Sequence, residues 1–450
     1  MTFQKPWPRV AAVAAIGLQT LFHSAANAAD AAAVSGTSVT FTSQPDSAAV
    51  ESESPLTLRQ ALALALKHNP ELSAYSHELR ASEAAILQAG ALPNPVLDVT
   101  GENLNNARLR NDGDRAATIQ IGQLIELGGK RAARIKLSET GRALANWDYE
   151  AKRIDVLSRV AQFFIDVVAA QQGQTLAGES LQLAQQVADA VGKRVLAGKV
   201  SPIEETKARL ALSSAQIERE QATRQLAAAR KRLALMWSNP NPRFRSADAD
   251  LETFGALPDY QRLMERVRNN PDLARWSSEI ARRQASVEVE RAKAVPDITV
   301  SAGWRRFSQF DDHAYLLGFS IPLPVFDQNR GSILEANRRL DKSVDEQRAA
   351  ASRVQTELAQ SFHRLSALRS EIDMLRTSIL PGARSAYEGV TKGYQLGKFG
   401  FLDVLDAQRT LFQARSQHLK ALADYHRGLN EIERLIGGPL DAPAQNADKR

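Results

Sequence analysis

Asn69-Pro70-Glu71-Leu72 recurs as Asn270-Pro271-Asp272-Leu273, 201 residues further along the chain. The segment that opens at Pro95, Pro-Val-Leu-Asp-Val, has its counterpart at the same spacing in the segment that opens at Pro296, Pro-Asp-Ile-Thr-Val. One match of four residues arises readily by chance, but ordered matches at a constant spacing do not. They indicate an internal duplication.

Two further pairs of segments continue the duplication. Lys130-Arg131-Ala132 aligns with Asn329-Arg330-Gly331, and Gly198-Lys199 aligns with Gly397-Lys398, both at a spacing of 199 residues. Because the spacing drifts by only two residues over the whole unit, we expect the two halves of the chain to share one fold.

Each repeat is predicted to contain a helix, a β-hairpin, a very long helix and a returning helix, in that order. The fold class is therefore mainly α with a small β part. Apolar residues at three- and four-residue steps give the second long helix the pattern of a coiled-coil seam. The predicted helices cover residues 57–92, 130–197 and 202–237 in the first repeat and residues 259–294, 330–396 and 401–436 in the second.

The predicted strands alternate apolar residues with small or polar ones, most clearly in the second repeat. Two strands per repeat make an unstable sheet, so their edges must pair elsewhere, most economically with identical chains. Strands of about ten residues with aromatic side chains near one end suit an outer-membrane barrel, although a soluble sheet packed on a helix would show the same alternation. The residues predicted to face lipid are Ile298, Val300, Trp304, Tyr315, Leu317, Phe319 and Ile321.

The N-terminus has the pattern of a secretory signal peptide. Lys5 and Arg9 precede an apolar run over residues 10–22, and Ala26-Asn27-Ala28 offers a cleavage site. The run is shorter than the roughly 20 residues that a membrane-spanning helix needs. The predicted organisation is a signal peptide (1–28), a flexible lead-in (29–55), the first repeat (56–250), the second repeat (251–437) and a C-terminal tail (438–450).

Composition excludes several functions. The chain has no cysteine, which excludes disulfides, Cys-ligated metals and a thiol nucleophile. Its formal charge is +6, from 57 Lys plus Arg against 51 Asp plus Glu, and the two signs are interleaved, which disfavours nucleic-acid binding. No pair of histidines has the spacing of a helical metal site, and the four methionines form no cluster. We therefore expect no bound metal, no cofactor and no enzymatic activity.

The sequence resembles the TolC family of outer-membrane channels over about residues 55–437. The most specific match is the stretch over residues 393–407, Gly-Tyr-Gln-Leu-Gly-Lys-Phe-Gly-Phe-Leu-Asp-Val-Leu-Asp-Ala, which is similar to the periplasmic tip of that family. The stretches over residues 91–95 and 326–331 most resemble its CzcC-type heavy-metal efflux branch.

The resemblance implies a homotrimer in the outer membrane, where four strands per chain form a 12-stranded β-barrel in contact with lipid. An α-helical barrel continues it across the periplasm. The channel is then a passive duct, and its partners are a periplasmic membrane-fusion adaptor and an inner-membrane pump of the resistance-nodulation-division class. The tip residues that would contact the adaptor are Gly198, Lys199, Val200, Ser201, Gly397, Lys398, Phe399 and Gly400.

The family match assigns a channel constriction to four residues. Asp403 and Asp406 match a carboxylate pair that lines the pore, and a ring of such pairs would select cations. Tyr394 matches a tyrosine that ties the closed tip, and Glu204 occupies the equivalent acidic position in the first repeat. A solvated helix face is the alternative interpretation of the Asp pair.

Phe399 departs from the family pattern, because it stands where the best-known member has a basic gate residue. Phe399 and Phe401 could hold the gate by apolar contacts, or they could pack the hairpin or bind the adaptor. Gly397 is predicted to have a positive φ at the tight turn after the helix.

The exported species stays open. A heavy-metal cation is the first hypothesis, and organic drugs or proteins of type I secretion are alternatives with the same fold. A periplasmic coiled-coil adaptor or structural rod is disfavoured because two complete hairpin copies carry strand pairs.

Overall fold

The computed structural model describes residues 54–102, 115–255, 257, 259–307 and 312–440. The predicted signal peptide lies outside the described residues, as do most of the predicted lead-in and of the C-terminal tail.

The elements follow one another in the predicted order. In the first repeat they are α1 (Leu58–His68), α2 (Pro70–Ala89), β1 (Val96–Glu102), β2 (Ala116–Ile125), α3 (Lys130–Leu196) and α4 (Pro202–Ala234). In the second they are α5 (Tyr260–Arg266), α6 (Pro271–Lys293), β3 (Ile298–Phe307), β4 (Asp312–Ser320), α7 (Arg330–Met374), α8 (Leu380–Gln395) and α9 (Phe401–Ile436). Short 3-10 turns follow α4 and α5, and a π-helical turn (Leu375–Ile379) joins α7 to α8.

The prediction of one continuous helix before each hairpin was wrong. In the first repeat the helix breaks at Asn69, whose backbone is extended (φ −76°, ψ 122°), and Asn270 breaks the second in the same way. The proline that follows each asparagine disfavours a helical conformation at the residue before it and suits the first turn of a new helix. Each asparagine caps that helix, since its side chain accepts a hydrogen bond from Leu72 N or Asp272 N.

The two long helices differ. α3 is one helix of 67 residues, about 100 Å at 1.5 Å per residue. In the second copy the predicted helix over 330–396 is interrupted by the π-helical turn, just before Pro381, which lacks an N–H for the regular ladder. In the predicted seam of this helix, Leu358, Leu365 and Ile372 are fully inaccessible, whereas Ile379 near its C-terminal end is 40% exposed.

The residues that precede the long helices show that the alignment of the two repeats must be shifted by one residue at this point. Gly129 (φ 71°) and Asn329 (φ 55°) both adopt the left-handed conformation directly before the helix. Lys130 therefore corresponds to Arg330, at a spacing of 200 residues, and the alignment of Lys130 with Asn329 was wrong.

The strands form one antiparallel sheet in the order β1-β2-β3-β4. The middle pair, β2 with β3, joins the two repeats, with Ile119 opposite Trp304. Ile321, predicted as a strand residue, lies just beyond the end of β4 at Ser320. Among the helices, α3 packs against α2, α4, α6 and α9, and α7 packs against α6 and α9.

Candidate functional site at the helix tips

Each long helix and the helix that returns from it form a helical hairpin, α3 with α4 and α7–α8 with α9. The two helical hairpins end in the same kind of turn. Gly198 (φ 66°) and Gly397 (φ 73°) are left-handed, which confirms the conformation predicted for Gly397. The N–H of Lys199 donates to the Arg194 carbonyl at 2.9 Å, and the N–H of Lys398 donates to the Gly393 carbonyl at 2.8 Å. These six-residue closures are Schellman motifs, which require a residue without a Cβ penalty at the glycine position.

The helix that follows each turn is capped differently. Ser201 Oγ accepts a hydrogen bond from the N–H of Ile203 at 3.3 Å. In the second hairpin the N–H of Gly400 donates to Asp403 Oδ2 at 2.8 Å, so Asp403 serves as the capping carboxylate of α9. One of the two predicted constriction carboxylates therefore also has a local role in starting its helix.

A small apolar core holds the two tips of one chain together. It consists of Val191 and Ala208 from the first hairpin and Phe401 from the second, all buried, and Tyr394 packs against it. Phe399 is half-exposed and lies on Gly393, where an added Cβ would come within 2.2 Å of its ring. In a single chain, both phenylalanines therefore pack the hairpins.

Tyr394 lies at the junction of both hairpins. Its ring centroid is 6.0 Å from that of Phe401 and 4.4 Å from the guanidinium carbon of Arg194. Burial raises the pKa of the Tyr394 hydroxyl, the Arg194 cation opposes this shift, and the Glu204 carboxylate adds to it. The structure thus brings together Tyr394 and Glu204, two of the four predicted constriction residues, with a cation that the sequence analysis missed.

Arg194 places a positive charge on the face of the Tyr394 ring, between the two hairpins. A cation stacked on a tyrosine ring contributes about 0.5–2 kcal/mol, more when it is desolvated. Its position in the last turn of α3, next to the tip, was the sequence signal that could have identified it.

Asp403 and Asp406 are both exposed on α9. Asp406 lines a groove between α3, α4 and α9, with a volume of about 760 Å³, together with Glu218 and Arg409. Asp406 therefore lies in a partly polar groove, whereas Asp403 lies at the start of α9, where it caps the helix.

The sheet has one apolar face and one polar face. Tyr315, Leu317 and Phe319 of β4 are strongly exposed on the apolar face, and Trp304 of β3 lies directly opposite Tyr315. Ile298 and Val300 are half-exposed. The polar face carries an ion pair between Arg305 and Glu102.

None of the helices in the described part of the chain is long and apolar enough to cross a bilayer. Within the same ranges, no three His, Cys, Asp or Glu side chains come together as a metal site.

Comparison with known proteins identifies the family. The family model described as "Outer membrane efflux protein" matches residues 61–239 and 264–438. The cobalt-zinc-cadmium resistance protein CzcC of Cupriavidus metallidurans is 39% identical over 387 residues, which are 86% of this chain and 91% of CzcC. The nickel and cobalt resistance protein CnrC of the same organism is 29% identical over 64% of this chain and 67% of its own length.

A solved structure shows the same fold. The outer membrane protein VceC of Vibrio cholerae superposes with a TM-score of 0.69 at 20% identity, covering 85% of this chain and 96% of VceC. Both repeats match the family model, and the similarity to CzcC extends over most of both chains. The chain belongs to the outer membrane efflux protein family.

Proposed function

We propose that this protein is the outer-membrane channel of a tripartite efflux system that exports divalent heavy-metal cations. The observation that carries the proposal is the 39% identity to a cobalt-zinc-cadmium resistance protein over nearly its whole length. As a member of its family, the chain resides in the outer membrane and extends into the periplasm. It works as a passive duct and not as an enzyme.

Three copies would complete the membrane part. A four-stranded sheet with open edges at β1 and β4 supports this proposal, because three such sheets give a closed barrel of 12 strands. The apolar face, with Tyr315, Leu317 and Phe319, would contact lipid. The face with the Arg305–Glu102 ion pair would line the aqueous interior.

The long helices would form the periplasmic tunnel, since α3 alone is about 100 Å long. At its end, the turns around Gly198 and Gly397 would dock onto a periplasmic adaptor that connects the channel to an inner-membrane pump. Their equal backbone geometry supports this role, because it presents six similar turns in a trimer.

The constriction is proposed at the same end. Asp403 and Asp406, exposed on one helix face, would place six carboxylates around the axis and favour cations over anions. Tyr394, Glu204 and Arg194 would tie the two hairpins of each chain together in the closed state.

Deletion of the gene tests the substrate class. We expect the deletion strain to become sensitive to cobalt, zinc and cadmium salts and to recover with the wild-type gene, while its tolerance of antibiotics and dyes stays unchanged. Sensitivity confined to organic compounds would contradict the proposed substrate while leaving the channel fold in place.

A further inference from the structure

We propose that neighbouring copies of this chain pair in one fixed register, in which Pro324 faces the neighbouring copy's Asp98 and Pro322 faces its Thr100. The proposal rests on the trimeric channel proposed above and specifies the residues that close it. It follows from the internal duplication, because the contact between the two repeats inside one chain is the template for the contact between copies.

The two hairpins have the same internal register. β1 corresponds to β3 at a spacing of 201 residues, and β2 corresponds to β4 at a spacing of 200. These spacings convert the observed pair Val99–Ile119 into Val300–Phe319, which is also an observed pair. The correspondence between repeats therefore holds residue by residue in the sheet.

The contact between repeats gives the register between copies. In one chain, Leu124 of β2 lies opposite Thr299 of β3. The counterpart of Leu124 is Pro324, and the counterpart of Thr299 is Asp98. The strand that would follow β4 in the same way as β3 follows β2 is β1, and for β4 this β1 belongs to a neighbouring copy. Pro324 would therefore face the Asp98 of that copy.

The segment after β4 is exposed in a single chain, where it turns locally because the Val325 N–H donates to the Leu323 carbonyl at 2.8 Å. In β2, pairing with β1 ends at Gly122, and residues 123–125 are strand because β3 continues alongside them. Their counterparts at residues 323–325 lie beyond the end of β4 in a single chain. Leu323 and Val325 are strongly exposed there, and Phe326 is 100% exposed.

The two prolines are compatible with this pairing. The Ile119 carbonyl points at β3, since it lies 2.9 Å from where a Cβ on Gly303 would be. Backbone groups alternate along a strand, so the odd-numbered residues of β2 bond to β3. By correspondence Leu323 and Val325 would bond to the neighbouring copy, with the Val325 N–H exchanging its bond to the Leu323 carbonyl for one across the interface. Pro322 and Pro324 stand where no N–H is needed on that side.

In a single chain, helix α2 also lacks a neighbour that its counterpart α6 has. α6 packs against both long helices, and its Ala285 and Ala292 are 6% and 7% exposed. The counterparts of these residues in and just after α2 are Ala84 and Ala91, and both are exposed. In one chain, α6 is covered by both α3 and α7. By the same arrangement, α7 of a neighbouring copy would cover Ala84 and Ala91.

Cysteine crosslinking tests the register, and the absence of native cysteine removes background reactions. Two matched variants combine Asp98→Cys with Pro324→Cys, and Thr100→Cys with Pro322→Cys. Two displaced variants, Asp98→Cys with Pro322→Cys and Thr100→Cys with Pro324→Cys, use the same four substitutions out of register by two residues. A disulfide needs Cα atoms within about 7 Å, which only facing residues satisfy.

After oxidation of the full-length protein in outer membranes, we expect both matched variants to lose the monomer band and form covalent oligomers up to the trimer. The displaced variants should remain monomeric on denaturing gels. The positive control is Leu124→Cys with Thr299→Cys, because these residues face each other in one chain. Its thiols should stop reacting with a thiol reagent after oxidation, while the protein still runs as a monomer on the gel.

Efficient crosslinking of the displaced variants, or of none while the control reacts, would overturn the register. The size of the wild-type protein in detergent separates this result from the proposed assembly. A monomeric wild type would contradict the trimer itself, whereas a trimer without the matched crosslinks would contradict the register alone.

Discussion

The side-chain amide of Asn270 donates a hydrogen bond to the Leu435 carbonyl at 2.8 Å, across 165 residues of sequence. Its counterpart Asn69 donates to the Met236 carbonyl at the same distance. The repeated motif therefore has two tasks in each copy, since the asparagine caps the helix that follows and ties it to the end of the returning helix.

Replacement of this amide should destabilise the fold. Asn270→Asp keeps a capping oxygen but removes the donor, so the buried Leu435 carbonyl loses its side-chain partner at a cost of about 1–3 kcal/mol. We expect a lower midpoint of thermal unfolding in detergent. Asn69→Asp should behave alike, whereas Asn337→Asp, whose amide donates within its own helix, should have a smaller effect.

Arg194 should hold the tip closed. Arg194→Gln removes the cation that stacks on Tyr394, so we expect a larger open fraction of single reconstituted channels. Lys193→Gln is the matched control, because it removes the same charge from an exposed neighbouring position. Equal opening of both variants would exclude a gating role for Arg194.

The exposed aspartates should bind cations at the constriction. We expect Asp403→Ala with Asp406→Ala to reduce the block that multivalent cations cause from the periplasmic side of a reconstituted channel. Asp345→Ala, which removes an exposed charge from α7, is the control. An unchanged block would remove both residues from the constriction.

Gly397 should be required for adaptor docking. Gly397→Val introduces a β-branched residue at φ 73°, a left-handed conformation that costs a residue with a Cβ about 1–2 kcal/mol. We expect adaptor pull-down to fail while the trimer persists. Gly389→Val is the control, since a Cβ there meets no neighbouring atom and the backbone is helical. Normal pull-down with the Gly397 variant would contradict the prediction.

Glu71 should make stability depend on pH. Hydrogen bonds from Arg159 and Lys152 lower the pKa of its carboxyl to about 2, below the ordinary value of 4.5. The stabilisation is therefore complete above pH 4.5 and is lost as the pH falls toward 2. Unfolding midpoints of wild type and Glu71→Gln should differ at pH 7 and converge below pH 4.5. Glu78→Gln, which removes an exposed charge from the same helix, is the matched control.

In the second copy of the motif, the acidic residue has a different pKa shift. Asp272 corresponds to Glu71, but burial and the nearby Asp155 raise its pKa, and Arg434 opposes the shift. The pKa of the motif's carboxyl group is thus shifted in opposite directions in the two repeats, because hydrogen bonds from two cations outweigh burial at Glu71, whereas burial outweighs the nearby cations at Asp272.

Much of the fold follows from local sequence. The duplication, the order of elements, the alternating strands and the positive φ at Gly397 depend on periodicity and residue type within a few turns, which the chain encodes directly. The family resemblance in the tip segments also indicated Tyr394 and Glu204, which the structure brings close together, and their role at the constriction is a proposal. Asp403 and Asp406 remain proposals for the constriction.

The sequence by itself determined that this protein is two copies of one hairpin-and-helix unit with tight glycine turns at the tips. Tertiary structure decided that Asn69 and Asn270 tie distant helices together, that Arg194 stacks on Tyr394, and that β2 pairs with β3. These contacts join residues 165–200 positions apart. Local pattern does not specify such pairs, because they depend on which surfaces the packed helices bring within a few ångströms.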